Sequence, residues 1–449
     1  MTSAEKSLWS APSASRPVTA GVRVPGSKSA TNRALLLAAL ADSPSTITGG
    51  LRARDSVLMI GGLRALGVEV DAGETFDAPV WRVTPPAQLS GGADGTPAKV
   101  DVGLAGTVMR FLPPAAALAA GPVYFDGDPY ARSRPMGTLL QALRDLGVRI
   151  DDGDRGTFPF LVEGVGEVPG GLVELDATAS SQFISALLLA GSRYRNGVEV
   201  RHVGGPIPSQ PHIDMTVEFV RAAGGAVDAS EPGRWAVTPS VLHGREWSIE
   251  PDLSNSAPFL AAALVTGGTV TVADWPAATT QAGDALRHLL REIGARVELT
   301  GAGLTVSGGA GVHGIEADLR DVGELTPTLA AVAALADSPS RFTGIGHLRG
   351  HETDRLAALA REINGLGGDV VEEPDGLLIR PRPLHAGVFA TYDDHRLATA
   401  GAVLGLAVPG VEVEDIATTG KTLPDFPAMW AAMLDADDHD VPAPTGVHS

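Results

Sequence analysis

Cysteine is absent from all 449 residues, which removes disulfides, thiolate metal ligands and thiol nucleophiles together and fits a cytoplasmic setting. Aromatic residues are few, at 5%, leaving little for base stacking. Positive charge is also scarce: 34 Lys and Arg stand against 53 Asp and Glu, a net charge of −19. That balance argues against a general nucleic-acid or anionic-membrane binder. Long hydrophobic runs are missing. The longest charge-free apolar stretch, residues 397–411, is short and broken by Gly and Pro, so no membrane span is expected. Residues 1–20 contain no apolar core of signal-peptide type; a flexible lead-in is expected over 1–14 and a flexible acidic tail over 435–449.

What the chain does have is apolar bulk and repetition. Hydrophobic residues make up 44% of it, enough for well-filled cores in two or three domains. The octapeptide Ala-Ala-Leu-Ala-Asp-Ser-Pro-Ser occurs at 38–45 and again at 333–340, each time closing an apolar helix and leading into extended sequence. Looser copies of the same helix, turn and strand lie at 111–126, 183–202, 259–273 and 397–414, making six. A second recurring unit, an amphipathic helix capped by Gly and followed by a strand, is anchored at Gly67, Gly147, Gly225, Gly294 and Gly368, with the terminal helix near Met429–Leu434 as the sixth. Copies lie about 70–80 residues apart, the size of a small α/β subdomain. An α/β chain of two globules, each of three units, with a ligand cleft between them, is therefore expected.

The polar clusters fall at helix starts. Gly26-Ser-Lys-Ser-Ala-Thr-Asn-Arg33 places two cations and three hydroxyls ahead of an apolar helix expected over 34–41, an arrangement suited to an anion. Gly103-Leu-Ala-Gly-Thr-Val-Met-Arg110 opens a helix expected near Phe111. Arg132-Ser-Arg-Pro135, Ser180-Ser-Gln182 and Ser209-Gln-Pro-His212 stand before three more, each of which would serve equally as a simple cap. The second half carries His347-Leu-Arg-Gly-His-Glu-Thr-Asp-Arg355, Asp393-Asp-His-Arg396 and Lys421-Thr-Leu-Pro-Asp425. Like charges about 4 Å apart repel by roughly 4 kcal/mol at an effective dielectric near 20, so cations crowded in this way call for an anionic ligand. His351-Glu352 has no second His at position 355, which excludes a zincin site. On a helix, His351 and Arg355 would share a face, with Glu352 able to join Arg355.

Taken in this order, GSKSATNR, GLAGTVMR, ARSRP, SSQF, HETDR, DDHR and KTLPDF resemble the enolpyruvyl transferases, and within them the EPSP synthases, from about Ser15 to Met433. The resemblance implies the inside-out α/β barrel fold: two globules of three βαβαββ units, here 26–248 and 15–25 plus 249–434. It implies transfer of the enolpyruvyl group of phosphoenolpyruvate to the 5-hydroxyl of 3-phosphoshikimate, a step of chorismate and aromatic amino acid biosynthesis, with no metal or organic cofactor. Carried over by position, Lys28, Ser29, Arg33, Ser180, Ser181, Gln182, Ser209, Glu324 and His351 would hold 3-phosphoshikimate. Lys28, Gly106, Arg134, Gln182, Arg355, Arg396 and Lys421 would hold phosphoenolpyruvate. Glu324 is assigned as base and Glu352 as acid, with Lys28 the rival acid and His395 assisting. Leu104, His212, Glu324, His347 and His351 depart from the commonest pattern, which has Asn, Tyr, Asp, Asn and Lys there. Glyphosate is expected to inhibit, and a monomer is expected. The alternatives are the sister transferase acting on UDP-N-acetylglucosamine, and a non-catalytic anion-binding relative.

Overall fold

The computed structural model describes residues 6–73, 80–93 and 96–436. The chain divides into two compact units, one formed by residues 26–249 and the other by the residues on either side. Twelve α-helices are described: α1 (Lys28–Leu40), α2 (Arg54–Ala65), α3 (Gly106–Ala116), α4 (Gly137–Asp145), α5 (Gln182–Gly191), α6 (Gln210–Ala222), α7 (Ala257–Thr266), α8 (Leu286–Glu292), α9 (Thr326–Ala334), α10 (Arg355–Gly365), α11 (His395–Ala407) and α12 (Phe426–Asp435). The odd-numbered helices are apolar nearly all round and therefore have to be buried. Every residue of α9 is buried, as is every residue of α5 after Gln182. In the middle unit α1, α3 and α5 pack on one another, and in the other unit α7, α9 and α11 do the same. The even-numbered helices carry their apolar residues on one stripe and leave the other face wet, as α4 and α10 do.

The middle unit has three four-stranded sheets of one topology: a parallel pair, then two antiparallel neighbours. In the second, Ala98–Asp101 runs parallel to Ala120–Asp126 with Val100 opposite Phe125, and Phe160–Val165 and Arg149–Asp151 follow antiparallel. In the first, the strand parallel to Ser45–Thr48 is Glu246–Ser248, from the far end of the unit, so its two chain ends are stitched into one sheet. The other unit repeats this with Thr19–Val22 parallel to Thr269–Ala273 and Glu316–Asp318 parallel to Ser340–Thr343.

The repeated octapeptide has a structural cause. Asp42 accepts from His243 Nδ1 at 2.9 Å, and Ser43 and Ser45 accept the backbone N–H groups of Gly244 and Arg245. Asp337 accepts from His313 Nδ1 at 2.7 Å, and Ser338 and Ser340 accept from Gly314 and Ile315. Each copy is thus a clasp that receives a His-Gly strand start and fixes the register of the parallel strand behind it.

Three expectations need correction. α1 begins at Lys28 and α3 at Gly106, not near 34 and 111, because Ser27 caps α1 through Ala30 N–H and the polar motif forms its first turns. The left-handed C-cap glycines of α6 and α10 are Gly224 (φ 97°) and Gly367 (φ 94°), one residue before those named. Residues 8–10, within the expected flexible lead-in, form a strand antiparallel to Val411–Glu414 with Trp9 opposite Val413. The last sheet has only Gly387–Phe389 on its other side, so Leu8–Ser10 covers an edge that would otherwise lie bare. The expected acidic tail lies, from residue 437 on, outside the described residues. Trp9 also meets the Phe426 ring edge-on at 6.4 Å. Trp9→Ala should lower stability by about 1–2 kcal/mol, read as a lower denaturant midpoint at unchanged slope; an unchanged midpoint would contradict a structural role for this strand.

Candidate active site

The sequence motifs sit at or just before helix starts, on odd- and even-numbered helices alike, and each unit gathers its own set. In the middle unit, Lys28 and Ser29 open α1, Gly106 opens α3 and Gln182 opens α5. A Cβ on Gly106 would lie 3.3 Å from Gln182 Oε1 and 3.4 Å from Arg110 Nη1, so the starts of α3 and α5 nearly touch. Asn32 Nδ2 donates to Thr107 Oγ1 at 2.6 Å and ties α1 to α3. Lys28 Nζ lies 3.4 Å from Asp55 Oδ2, a carboxylate 1% exposed. Ser180 and Ser181 immediately precede α5, with Ser180 Oγ accepting from Gln182 N–H, and Ser209 is the left-handed N-cap of α6 (φ 56°).

Arg33 is 1% exposed. It donates to Ser29 O, Thr216 Oγ1 and His212 O, and its guanidinium lies 5.1 Å from the centroid of the Phe111 ring. Two of these bonds tie α1 to α6, and the one to Ser29 O stays within α1. Arg110, 3% exposed, stands beside Arg134, and its Nε has no hydrogen-bond partner among the described residues. Burial, then the charge of Arg134, pushes Arg110 well below its ordinary value. A buried arginine with such a cost is suited to an anion that neutralises it.

In the other unit, His395 and Arg396 open α11, Arg355 opens α10, and Glu324 lies in the turn before α9. Arg396 Nη2 donates to Glu324 Oε2 at 2.7 Å and Nη1 to Ser254 O, just ahead of α7. Arg355, 2% exposed, grips Asp394, 0% exposed, through Nε at 2.7 Å and Nη2 at 3.2 Å. Its Nη1 lies 3.4 Å from His351 Nδ1. His351 and Glu352 are not on the helix, which starts only at Arg355 because Asp354 caps it through Ala357 N–H. Glu352 pairs with Lys421 Nζ at 2.7 Å and His395 Nδ1 at 3.0 Å, with the Arg355 charge also acting on it.

These contacts set the charges. Burial alone would raise the Glu352 pKa, but the Lys421 charge, with the His395 hydrogen bond and the Arg355 charge, outweighs it and holds the carboxyl well below the usual carboxylate range. Burial pushes His395 down although Glu352 pulls the other way, so the imidazole is neutral, with Nδ1–H on Glu352. Its Nε2 is buried with no partner among the described residues. Glu352, Asp394 and His395 bring ligand atoms within 4.8 Å of one another, but Lys421 and Arg355 already occupy the two carboxylates, so a metal would have to displace buried cations.

The sequence matches the family described as EPSP synthase (3-phosphoshikimate 1-carboxyvinyltransferase) over residues 12–430. The chain belongs to the EPSP synthase family. A protein of Kocuria rhizophila described as 3-phosphoshikimate 1-carboxyvinyltransferase is 53% identical over 440 residues, 97% of this chain and 98% of that one. Among solved structures, an EPSP synthase from Acinetobacter baumannii shares the fold at TM-score 0.76 and 23% identity, covering 95% of this chain and 97% of the other. The enolpyruvyl transferase NikO from Streptomyces tendae does so at TM-score 0.72 and 17% identity, covering 94% and 96%. Among the described residues no helix is long and apolar enough to cross a membrane.

In this EPSP synthase family member, sequence reasoning missed Asp55, Arg110 and Asp394 as members of the clusters. Arg110 and Asp394 stood inside the quoted motifs, and only their burial sets them apart. His347 is half-buried beside His351, with ring centroids 5.7 Å apart. Burial lowers its pKa; Asp375 opposes this, and Arg355 and Arg320 add to it. A histidine depressed in the folded state takes up its proton first in the unfolded chain, so stability falls as pH drops through about 6.5. His395 adds to the same decline. His347→Asn should therefore lose less melting temperature between pH 7 and pH 5 than wild type does; an equal loss would contradict a lowered His347 pKa.

Proposed function

We propose that this chain moves the enolpyruvyl group of phosphoenolpyruvate onto the 5-hydroxyl of 3-phosphoshikimate, in the cytoplasm and as a monomer. The observation that carries the reading is the family match across residues 12–430, which runs through every motif from GSKSATNR to KTLPDF. The 5-oxygen bonds to C2 of phosphoenolpyruvate while its proton leaves to a base and C3 gains a proton. The adduct then loses a proton from the new methyl group, the C2–O bond to phosphate breaks, and inorganic phosphate departs.

Lys28, Ser29, Ser180, Ser181, Gln182, Ser209, Glu324 and His351 are assigned to 3-phosphoshikimate. Arg33 is assigned there too, acting chiefly by fixing the first turns of α1. Lys28, Gly106, Arg134, Gln182, Arg355, Arg396 and Lys421 are assigned to phosphoenolpyruvate. Arg355, largely committed to Asp394, would reach it through Nη1. Glu324 is assigned as the base. Glu352 begins as a carboxylate, so it becomes an acid only after an anion near Lys421 has weakened the hold of that cation. Lys28, beside Asp55, is the other proton carrier. A carboxylate or ammonium placed in this way contributes about 10²–10⁴-fold in rate.

The reading is tested by phosphate release with 3-phosphoshikimate and phosphoenolpyruvate, with UDP-N-acetylglucosamine as the parallel acceptor. Release with 3-phosphoshikimate alone is expected; release with the sugar nucleotide alone, or with neither, would contradict it. Glyphosate should inhibit in competition with phosphoenolpyruvate. A methyl group at position 106 would press on Gln182 and Arg110, so Gly106→Ala should raise the inhibition constant by about tenfold or more. An unchanged constant would refute this spatial argument.

A further inference from the structure

Glu362 is a buried carboxylate, 8% exposed, that the proposed chemistry does not use. It lies seven residues after Arg355 on α10, two turns along the same face. Its Oε2 accepts the Ala390 N–H at 2.9 Å and its Oε1 accepts the Tyr392 hydroxyl at 2.5 Å. Arg355 grips Asp394 from the same face. One side of α10 therefore holds the loop 390–394 at both ends.

That loop needs holding. Tyr392 (φ 54°) and Asp393 (φ 58°) are consecutive non-glycine residues in the left-handed region, a conformation that persists only where the surroundings impose it. The loop's output is the start of α11. Asp394 donates its N–H to Thr391 O and caps α11 through Arg396 N–H at 2.8 Å. The direction in which α11 sets out decides whether His395 meets Glu352 and Arg396 meets Glu324.

We propose that Glu362 and Tyr392 are positioning residues for His395 and Arg396, acting through the left-handed turn at 392–393. Arg361 Nη1 donates to the Tyr392 oxygen at 3.2 Å from the solvent side and fixes the hydroxyl's direction toward Glu362. Burial, then the bond to Glu362, raises the Tyr392 pKa and keeps the hydroxyl a donor. Neither residue touches the reacting groups, and both act through the position of the α11 start. The kinetic part of this inference rests on the assignment of Arg396 to phosphoenolpyruvate.

Tyr392→Phe, which removes one oxygen, tests it, with Glu362→Gln as the conservative partner. In the ligand-free protein the ring resonances of His395, assigned with His395→Gln, should shift in Tyr392→Phe. KM for phosphoenolpyruvate should rise about 3–10-fold while KM for 3-phosphoshikimate stays within about twofold and the melting temperature is nearly kept. Glu362→Gln, which keeps one acceptor, should fall between wild type and Glu362→Ala. Unmoved His395 resonances, unchanged kinetics, or a parallel loss of both KM values and melting temperature would overturn the inference. Wild-type turnover, measured alongside, tests the assigned reaction separately.

Discussion

The packing of three apolar helices against one another, with their N-terminal ends meeting, is the constraint on which the rest of each unit depends. Helices buried all round need partners on every side, which their neighbours and the surrounding sheets supply. Once α1, α3 and α5 share one core, the segments that precede them have to meet. The same holds for α7, α9 and α11 in the other unit. Orphan N–H groups and positive dipole ends then gather in one place, and the side chains found there are Lys28, Gln182 and Arg110 in one unit and His395, Arg396 and Glu324 in the other.

Burying charge in this way is costly unless it is paired, and the two units differ in how far the pairing goes. Around α11 three pairs of opposite charge are formed: Arg355 with Asp394, Glu352 with Lys421, and Arg396 with Glu324. Loss of one partner from a pair as buried as Arg355–Asp394 costs about 3–5 kcal/mol. Beside α3, Arg110 and Arg134 face each other as like charges. One unit carries buried ion pairs around α11, and the other places a buried arginine whose charge its surroundings disfavour.

Repetition is what made the fold legible. Six copies of an apolar helix leading into a strand can be counted in the sequence, and the identical octapeptides became two identical clasps on His243 and His313. Boundaries were less legible for a physical reason: Ser27, Lys28 and Ser29 look like a loop, yet a capped first turn is polar because its N–H groups need partners. Paired glycines at 224–225 and 367–368 hid which one takes the left-handed conformation. Residues 8–10 looked free because the strand they cover lies at the far end of the chain. Apart from Glu324, the assigned ligand residues stood in quoted motifs and clusters and could be read. Asp55 stood in none, and the pairing of Glu352 with Lys421 and His395 depends on where α10 begins.

The central claim is that the buried charges exist as such before substrate binds, above all at Glu352. The direct measurement is the ¹³C resonance of the Glu352 side-chain carboxyl in the ligand-free protein, assigned with Glu352→Gln and followed as the pH is lowered. A carboxylate signal that holds through the ordinary glutamate range and titrates only below it is predicted. Titration at or above the ordinary glutamate value would contradict the account.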